Sequence, residues 1–429
     1  MSFARYPAYK DSGVEWLGEV PGHWEVKRLK YNLQLLTVKT HRREHVIALE
    51  NIESWTGRYL PTVTEFEGDG VAFEAGDILF GKLRPYLAKA YLAESSGEAV
   101  GDFHVLRPTV NTHGHFAQYQ ILNREFIDLV DGSTFGSKMP RASWEFVAGI
   151  ALATPPKAEQ QAIATFLDIE TAKIDGLMAE QRALVALLKK KRQAVISHAV
   201  TKGLNPAAPM KDSGVAWLGE VPGHWEVSAL KRHWSVADCK HITAEFIGNG
   251  IPLASIQEVQ SQFVNLENAK QTTQYFYDQL IEGGRKPIAG DLIFSRNATV
   301  GEVALVADWH QPFAMGQDVC LLKKLDSNYS SDYMHLVLRS TVIAEQLEHV
   351  MVGSTFKRVN VEEIRTFAVP MPPASEQHQI AHYLNHQTSQ LDTLTQEAQT
   401  AIALLQERRT ALISAAITGK MDVRTAVAA

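Results

Sequence analysis

The stretch KDSGVEWLGEVPGHWEV at residues 10–26 recurs as KDSGVAWLGEVPGHWEV at residues 211–227. The two copies differ at one position, where Glu15 in the first is Ala216 in the second. Chance does not preserve a match of this length, so the chain contains two copies of one unit. The interval between the copies is far too long for a solenoid repeat, and the sequence therefore predicts a duplicated domain.

Length and composition fit a globular protein with room for two cores. The chain has 429 residues, 45% hydrophobic and 21% charged, with a formal net charge of −6. This acidic total argues against a protein whose whole surface binds nucleic acid, but it allows local basic patches. The sequence shows no signal segment and no apolar run that could span a membrane, so we expect a cytoplasmic protein. Cys239 and Cys320 lack zinc-site spacing and are expected to be buried free thiols.

Each copy continues with the same order of elements. In the first copy, a β-rich run at GDILF (76–80) is followed by a helical pattern and the polar loop GSTFGSKMPRASW (132–144). In the second copy, GDLIFS (290–295) and GSTFKRVNVEEI (353–364) follow in the same order. The residues between these blocks are unlike, so one framework carries two different variable surfaces.

A long helical segment ends each copy, at residues 152–204 and 369–420. Pro155 and Pro156 suit the start of the first helix, which would span some 43 residues and roughly 65 Å. A helix of this length with one apolar stripe requires a partner helix, so we expect the two to form an antiparallel coiled coil with pseudo-twofold symmetry. The predicted coiled-coil seam consists of Ile163, Leu167, Ile174, Leu177, Leu184, Leu188, Ile380, Leu384, Leu391, Leu394, Leu405 and Leu412.

The predicted fold is therefore α+β, with two duplicated α/β-type domains at residues 1–154 and 204–370. The long helices form two further segments, at residues 155–203 and 371–422.

These ordered motifs resemble the specificity subunit of type I restriction–modification systems. The matching residues are the WLGEVPGHWEV blocks (16–26 and 217–227), the AGD turns (75–80 and 289–294), the GSTF loops (132–135 and 353–356), the PPxxEQxxIA helix starts (155–164 and 372–381), and the helix ends TKG (201–203) and TGK (418–420). Each motif is weak alone, whereas two ordered sets that cover nearly the whole chain are specific.

The resemblance implies that each variable region is a target-recognition domain that reads one half of a bipartite, asymmetric site in double-stranded DNA. It also implies that the paired helices set the spacing and dock two methyltransferase subunits, which restriction subunits join. The chain would then be non-catalytic and hold no cofactor, while its partners bind S-adenosylmethionine, ATP and Mg²⁺. Two alternatives remain open: an assembly adaptor that does not read DNA, and a modification enzyme with fused specificity domains.

The sequence favours a binding protein over an enzyme, since it contains no methyltransferase, helicase or Walker A motif. GSTFGSK (132–138) has the wrong spacing for a phosphate-binding loop, and we interpret it as a polar loop close to DNA phosphates. His378, His382 and His386 have metal-ligand spacing on a helix, but the first copy has no equivalent histidines. We therefore expect a solvated helix face there and no metal.

DNA contacts are expected where the copies differ and in adjacent loops, because base contacts specify the sequence and identical blocks cannot supply two specificities. Arginine and asparagine suit bidentate contacts with guanine and adenine. The candidates are Lys39, Arg42, Arg43, Lys82, Arg84, Tyr86, Lys138 and Arg141 in the first copy, and Lys240, His241, Arg285, Ser295, Arg296, Asn297, Lys357 and Arg358 in the second. The repeated tryptophans are expected to pack in the core; they are Trp16, Trp24, Trp217 and Trp225.

Overall fold

The computed structural model describes residues 4–40, 45–62, 69–134, 138–351 and 358–424. The chain divides into two compact units: unit 1 is Met1–Arg182 with Gln399–Ala429, and unit 2 is Ala183–Ala398. Each unit therefore contains one copy of the repeated domain, the first part of one long helix and the last part of the other. Among the described residues, no helix is long and apolar enough to cross a bilayer.

Unit 1 is mixed α/β. Its strands are β1 (Tyr9–Asp11), β2 (Glu19–Pro21), β3 (Glu25–Arg28), β4 (Leu33–Leu36), β5 (Lys39–Thr40), β6 (Val46–Ile47), β7 (Gly70–Phe73), β8 (Ile78–Gly81), β9 (Ala90–Leu92), β10 (Gly97–Ala99), β11 (Phe103–Pro108) and β12 (Ala151–Thr154). Its helices are α1 (Gly114–Ile121), α2 (Arg124–Gly132), α3 (Trp144–Gly149) and the first part of α4 (Lys157–Lys202). Two four-stranded sheets, β4-β11-β8-β9 and β5-β7-β10-β6, form its centre, with the pairs β1-β2 and β12-β3 beside them.

Unit 2 has the same plan. Its strands are β13 (Met210–Asp212), β14 (Glu220–Pro222), β15 (Glu226–Ala229), β16 (Trp234–Asp238), β17 (Phe246–Ile247), β18 (Ile251–Ala254), β19 (Gln271–Thr272), β20 (Leu292–Ser295), β21 (Val303–Leu305), β22 (Ala314–Met315), β23 (Val319–Lys324) and β24 (Ala368–Met371). Its helices are α5 (Gln274–Ile281), α6 (Ser331–Leu338), α7 (Thr341–Met351), α8 (Val361–Thr366) and the first part of α9 (Ala374–Ile417). The sheet β16-β23-β20-β21 repeats the order of its unit 1 counterpart, and β17-β19-β18-β22 is the second sheet.

The GD(I/L)(L/I)F runs form the central strand β8 in unit 1 and β20 in unit 2. In β8, Ile78 and Phe80 join the cluster that includes α1 and α2, while Leu79 joins the cluster with the second sheet. Successive side chains of a strand point to opposite faces, so a fully apolar run belongs to a sheet covered on both sides. Strand β20 has the same alternation. Both cysteines are free and buried in unit 2, as expected.

The repeated tryptophan block supports the end of a long helix in each unit. Trp24 is fully buried in the cluster that contains Ile413 and Ile417 from the end of α9. Trp225 is buried with Ile196 and Val200 from the end of α4. The expected core role is thus confirmed for these two tryptophans. Trp16 and Trp217 differ: Trp16 is only partly buried, and Trp217 is 41% exposed.

The Glu-Gln pair at the start of each long helix joins the helix to its own unit. In unit 1, Glu159 Oε2 lies 2.8 Å from His23 Nε2, and Gln160 Oε1 accepts a hydrogen bond from the His113 amide. In unit 2, Glu376 Oε2 lies 2.8 Å from His224 Nε2. Gln377 Oε1, like Gln160 Oε1, accepts a hydrogen bond from a backbone amide, that of Ser330. The histidine of the repeated GHW motif therefore contacts the glutamate of the repeated EQ motif in each unit.

Within unit 1, the first part of α4 runs antiparallel to the last part of α9. Ile163 shares a buried cluster with Ile417, while Arg409, nearer the middle of α9, donates to Asp175 across 3.0 Å. Asp175 also accepts a hydrogen bond from Arg58 of the repeated domain. This ion pair therefore ties the helix pair to the domain.

Within unit 2, the last part of α4 runs antiparallel to the first part of α9. Val200 shares a cluster with Ile380, and Arg192 donates to Asp392 across 2.8 Å. Arg192 of α4 is equivalent in the repeat to Arg409 of α9. Asp392 of α9 is equivalent to Asp175 of α4. Each unit thus contains one copy of the same interhelical ion pair, and the pseudo-twofold itself stays a prediction.

The predicted seam is wrong by one residue in the middle of the helices. Leu177, Leu184 and Leu394 are 49%, 40% and 48% exposed, whereas Met178, next to Leu177, is buried. Two buried threonines, Thr171 and Thr388, lie on the observed seam. Each hydroxyl donates to the backbone carbonyl four residues earlier in the same helix. Seven predicted seam residues are buried: Ile163, Leu167, Ile174, Leu188, Ile380, Leu384 and Leu391. Leu405 and Leu412 are partly buried.

Candidate nucleic-acid interface

In unit 1, the loop that follows β8 carries Lys82, Arg84 and Tyr86. Its backbone is tied to the segment before α3, because the Arg84 amide donates to the Pro140 carbonyl across 2.9 Å. The neighbouring Leu83 forms an antiparallel β-bridge with Arg141. The fold therefore brings residues that are far apart in the sequence into one basic loop cluster, with Arg84 and Tyr86 exposed.

Asp102 lies at the centre of this cluster. Its backbone carbonyl accepts a hydrogen bond from the Lys82 amide, and the Lys82 ammonium lies 3.8 Å from Asp102 Oδ1. Arg141 donates from Nε to Oδ1 and from Nη2 to Oδ2, each across 2.9 Å. This bidentate contact raises the pKa of the Arg141 guanidinium above its ordinary value, so the group stays cationic. The Arg141 side chain is nevertheless 48% exposed.

The equivalent loop of unit 2 follows β20 and has the same backbone scheme. The Arg296 amide donates to the Asp318 carbonyl across 2.9 Å, as Lys82 does to Asp102. Asn297 forms a β-bridge with Arg358, as Leu83 does with Arg141. The two loops thus share one set of backbone contacts and differ in their side chains.

The two loops also share a backbone conformation that is uncommon for residues with a side chain. Arg84 has φ of 50° and Ala298, at the equivalent place, has φ of 55°. Residues other than glycine rarely adopt a positive φ, which is costly unless the surroundings enforce it. Retention of this turn by two unlike sequences indicates that the loop shape itself matters.

Two of the predicted contacts in unit 2 are buried and cannot reach DNA as they lie here. Ser295 is fully buried and Arg296 is 3% exposed. The Arg296 guanidinium is held by Asp238, with Nη2 2.6 Å from Oδ1. A buried guanidinium requires such a partner. Arg296 therefore stabilises the loop from inside the protein and does not face solvent.

Other predicted residues of unit 2 surround the same aspartate. His241 Nε2 lies 3.7 Å from the Asp238 carboxylate, and Arg285 Nε donates to the Asp238 carbonyl across 2.7 Å. Lys240 forms an ion pair with Glu282. His241 is the most exposed of these side chains, at 67%.

The remaining predicted residues are not gathered at either loop or lie outside the described ranges. Lys39 is in β5 of the second sheet, where its ammonium lies 3.2 Å from Asp69. Lys138 is exposed on the segment that precedes Arg141. Arg42, Arg43 and Lys357 lie outside the described residues, as do parts of both GSTF loops.

Sequence reasoning missed the three aspartates that organise the loops. Asp102 and Asp318 directly precede the equivalent strands β11 and β23, which is the signal that could have identified them. Asp238 ends β16. The residues predicted to contact DNA are mostly cations, and these aspartates position several of them.

The chain is similar to several known proteins. Residues 233–403 match the family described as the type I restriction modification DNA specificity domain. The type I restriction enzyme MjaVIII specificity subunit of Methanocaldococcus jannaschii is 20% identical, over 94% of each chain. The EcoKI specificity subunit of Escherichia coli is 22% identical, over 72% of this chain and 65% of its own.

Solved structures share the fold. A chain from a study of assembly and conformational transition in a type I restriction–modification system superposes with a TM-score of 0.72 at 16% identity, over 93% of this chain and 98% of that one. The HsdS subunit of Thermoanaerobacter tengcongensis gives a TM-score of 0.50 at 15% identity, over 94% and 98%. Both agree with two sheet-rich domains and two long helices.

Proposed function

We infer that this chain is the DNA-specificity subunit of a type I restriction–modification system, and that it acts with DNA and with the other subunits of that system. The observation that carries this function is the duplicated loop after the central strand. One backbone scheme, fixed by Asp102 in unit 1 and Asp318 in unit 2, presents different cations and amides in the two units. This arrangement suits a protein that reads two different sequences with one framework, because base contacts specify the sequence.

Each unit reads one half of a bipartite, asymmetric target. In unit 1, Lys82 supplies positive charge that attracts phosphates, while Arg84 and Arg141 offer guanidinium groups, which suit guanine edges. In unit 2, Asn297 offers an amide, which suits an adenine edge, and Arg358 adds positive charge that attracts phosphates. The unlike side chains account for unlike half-sites.

The chain is a scaffold without catalytic activity of its own. It docks two methyltransferase subunits, and restriction subunits join that core in the cytoplasm. S-adenosylmethionine, ATP and Mg²⁺ belong to those partners. Exposed leucines on both long helices support a docking role, because apolar side chains on a helix face favour association; they include Leu177, Leu187, Leu394 and Leu404.

The experiment is to purify the chain with its methyltransferase partner and sequence the methylated positions in a randomised DNA library. We expect adenine methylation within one split motif, together with duplex binding that weakens steeply as salt rises. Methylation without a split motif would overturn bipartite reading. Absence of salt-dependent binding to duplex DNA would favour an adaptor that does not contact DNA.

A further inference from the structure

Arg141 and Arg358 occupy equivalent positions but are held differently. Arg141 makes two hydrogen bonds of 2.9 Å to Asp102. Arg358 Nη2 lies 3.8 Å from Asp318 Oδ1, beyond hydrogen-bond distance. Both side chains are about half exposed, at 48% and 49%. The two arginines therefore differ in how their guanidinium groups are oriented and not in how far they are exposed to solvent.

The contact with Asp102 fixes the orientation of the Arg141 guanidinium and still leaves one edge open. Nε and one hydrogen of Nη2 face the carboxylate, and a guanidinium has five N–H donors in a planar fork. The second Nη2 hydrogen and both Nη1 hydrogens remain for another acceptor. That free edge presents two parallel donors, which is the pattern that guanine O6 and N7 accept.

The backbone on either side of Arg141 is fixed as well. The Pro140 carbonyl accepts from Arg84, and the Ala142 amide donates to the Lys82 carbonyl across 2.9 Å. The Ala142 carbonyl lies 3.1 Å from Nε2 of the buried His104. Preorganised groups lose less conformational entropy when they bind, so a guanidinium held at both backbone and side chain suits a discriminating contact.

We propose that Arg141, held in place by Asp102, reads a guanine in the half-site recognised by unit 1. Asp102 is the positioning residue, and Arg141 is the specificity-determining one. Arg358, which lacks a bidentate carboxylate, makes a phosphate contact that adds affinity and no base preference. This proposal rests on the proposed function, which it deepens by assigning one base class to one side chain.

The test uses the purified complex with its methyltransferase and a library in which every position of the target is randomised. Arg141→Ala and Arg141→Lys should each relax one G·C position of one half-site by about 10-fold or more, because lysine cannot form the bidentate contact. Asp102→Asn should relax the same position. All other positions, including the second half-site, should keep their wild-type preference.

Arg358→Ala is the matched control. It should weaken binding to all sequences alike and lower the salt dependence of binding by about one phosphate contact. If Arg141→Ala weakens binding to all sequences alike, Arg141 is a phosphate contact, and if the motif is unchanged, Arg141 does not contact DNA. Either result overturns the proposal. The proposed function still holds in both cases if the wild type methylates a split motif. A wild-type complex without a split motif would overturn both. If Asp102→Asn fails to fold, the two Arg141 variants decide the question.

Discussion

Arg296 and Arg358 carry the same charge in very different surroundings. Arg296 is 3% exposed and lies 2.6 Å from Asp238, whereas Arg358 is half exposed and only near Asp318. A buried guanidinium depends on its partner far more than an exposed one does. The two arginines should therefore respond differently to removal.

Arg296→Ala should destabilise unit 2 by roughly 2–3 kcal/mol, somewhat less than for a fully buried pair because Asp238 is partly exposed. Arg358→Ala should change the free energy of unfolding by less than about 1 kcal/mol. Chemical denaturation of the purified chain measures both. Equal losses would contradict the structural role assigned to Arg296.

His335 is a second buried group whose ionisation matters for stability. It lies on α6 with Nε2 3.1 Å from the Val303 carbonyl, and burial lowers its pKa to about 3. An unfolded histidine has a pKa of about 6.5. Below pH 6.5 the unfolded chain therefore binds a proton that the folded chain does not, and stability falls as pH falls towards 3.

Replacement of this histidine should flatten that part of the pH profile. Between pH 7 and pH 5, His335→Gln should lose about 2 kcal/mol less stability than the wild type does, since each pH unit below 6.5 costs about 1.4 kcal/mol per histidine. Denaturation midpoints at the two pH values provide the measurement. Parallel profiles would show that His335 does not titrate differently in the two states.

At the residue scale, the sequence predicted which residue types gather at the loops but not which of them face solvent. Lys82 and Arg296 occupy equivalent positions after the central strand, yet only Arg296 is buried. The difference depends on Asp238, a residue of a separate strand. Such a partner is visible only once the strands are paired.

The two long helices are the elements that the sequence predicted best. The two prolines at its start, and a following stretch with no proline and one glycine, placed the first within residues 155–203; the helix spans Lys157–Lys202. Its seam was harder to predict, because Leu177 and Met178 are adjacent and both apolar. Thr171 is buried on the observed seam, where its hydroxyl donates to the Leu167 carbonyl of the same helix; this bond satisfies the buried polar group.

This register makes a direct prediction about neighbouring residues of α4. Met178→Ala should cost about 2–3 kcal/mol, because the side chain is buried and its removal leaves a cavity. Leu177→Ala should stay within about 0.5 kcal/mol, since that side chain is 49% exposed. Thermal unfolding of the two variants separates them. A larger loss for Leu177→Ala would restore the register predicted from the sequence.

At the scale of the whole molecule, the repeated block predicted the duplication, and the unlike segments predicted where the two units differ. The sequence did not reveal that each long helix is divided between the units. Helical periodicity shows that an element is continuous, but not which core each part of it joins. The clusters around Trp24 and Trp225, formed with the ends of α9 and α4, make that assignment.

We propose that each unit reads its own half of a split DNA target. The most direct measurement compares the methylated motifs of the wild-type complex, Arg84→Ala and Asn297→Ala in one randomised library. Arg84→Ala is a mild change for the backbone, because unit 2 already has alanine in the same conformation at Ala298. We expect Arg84→Ala to alter preferences in one half-site only and Asn297→Ala to alter them in the other only. Changes in both half-sites from either variant, or in the same half-site from both, would contradict it.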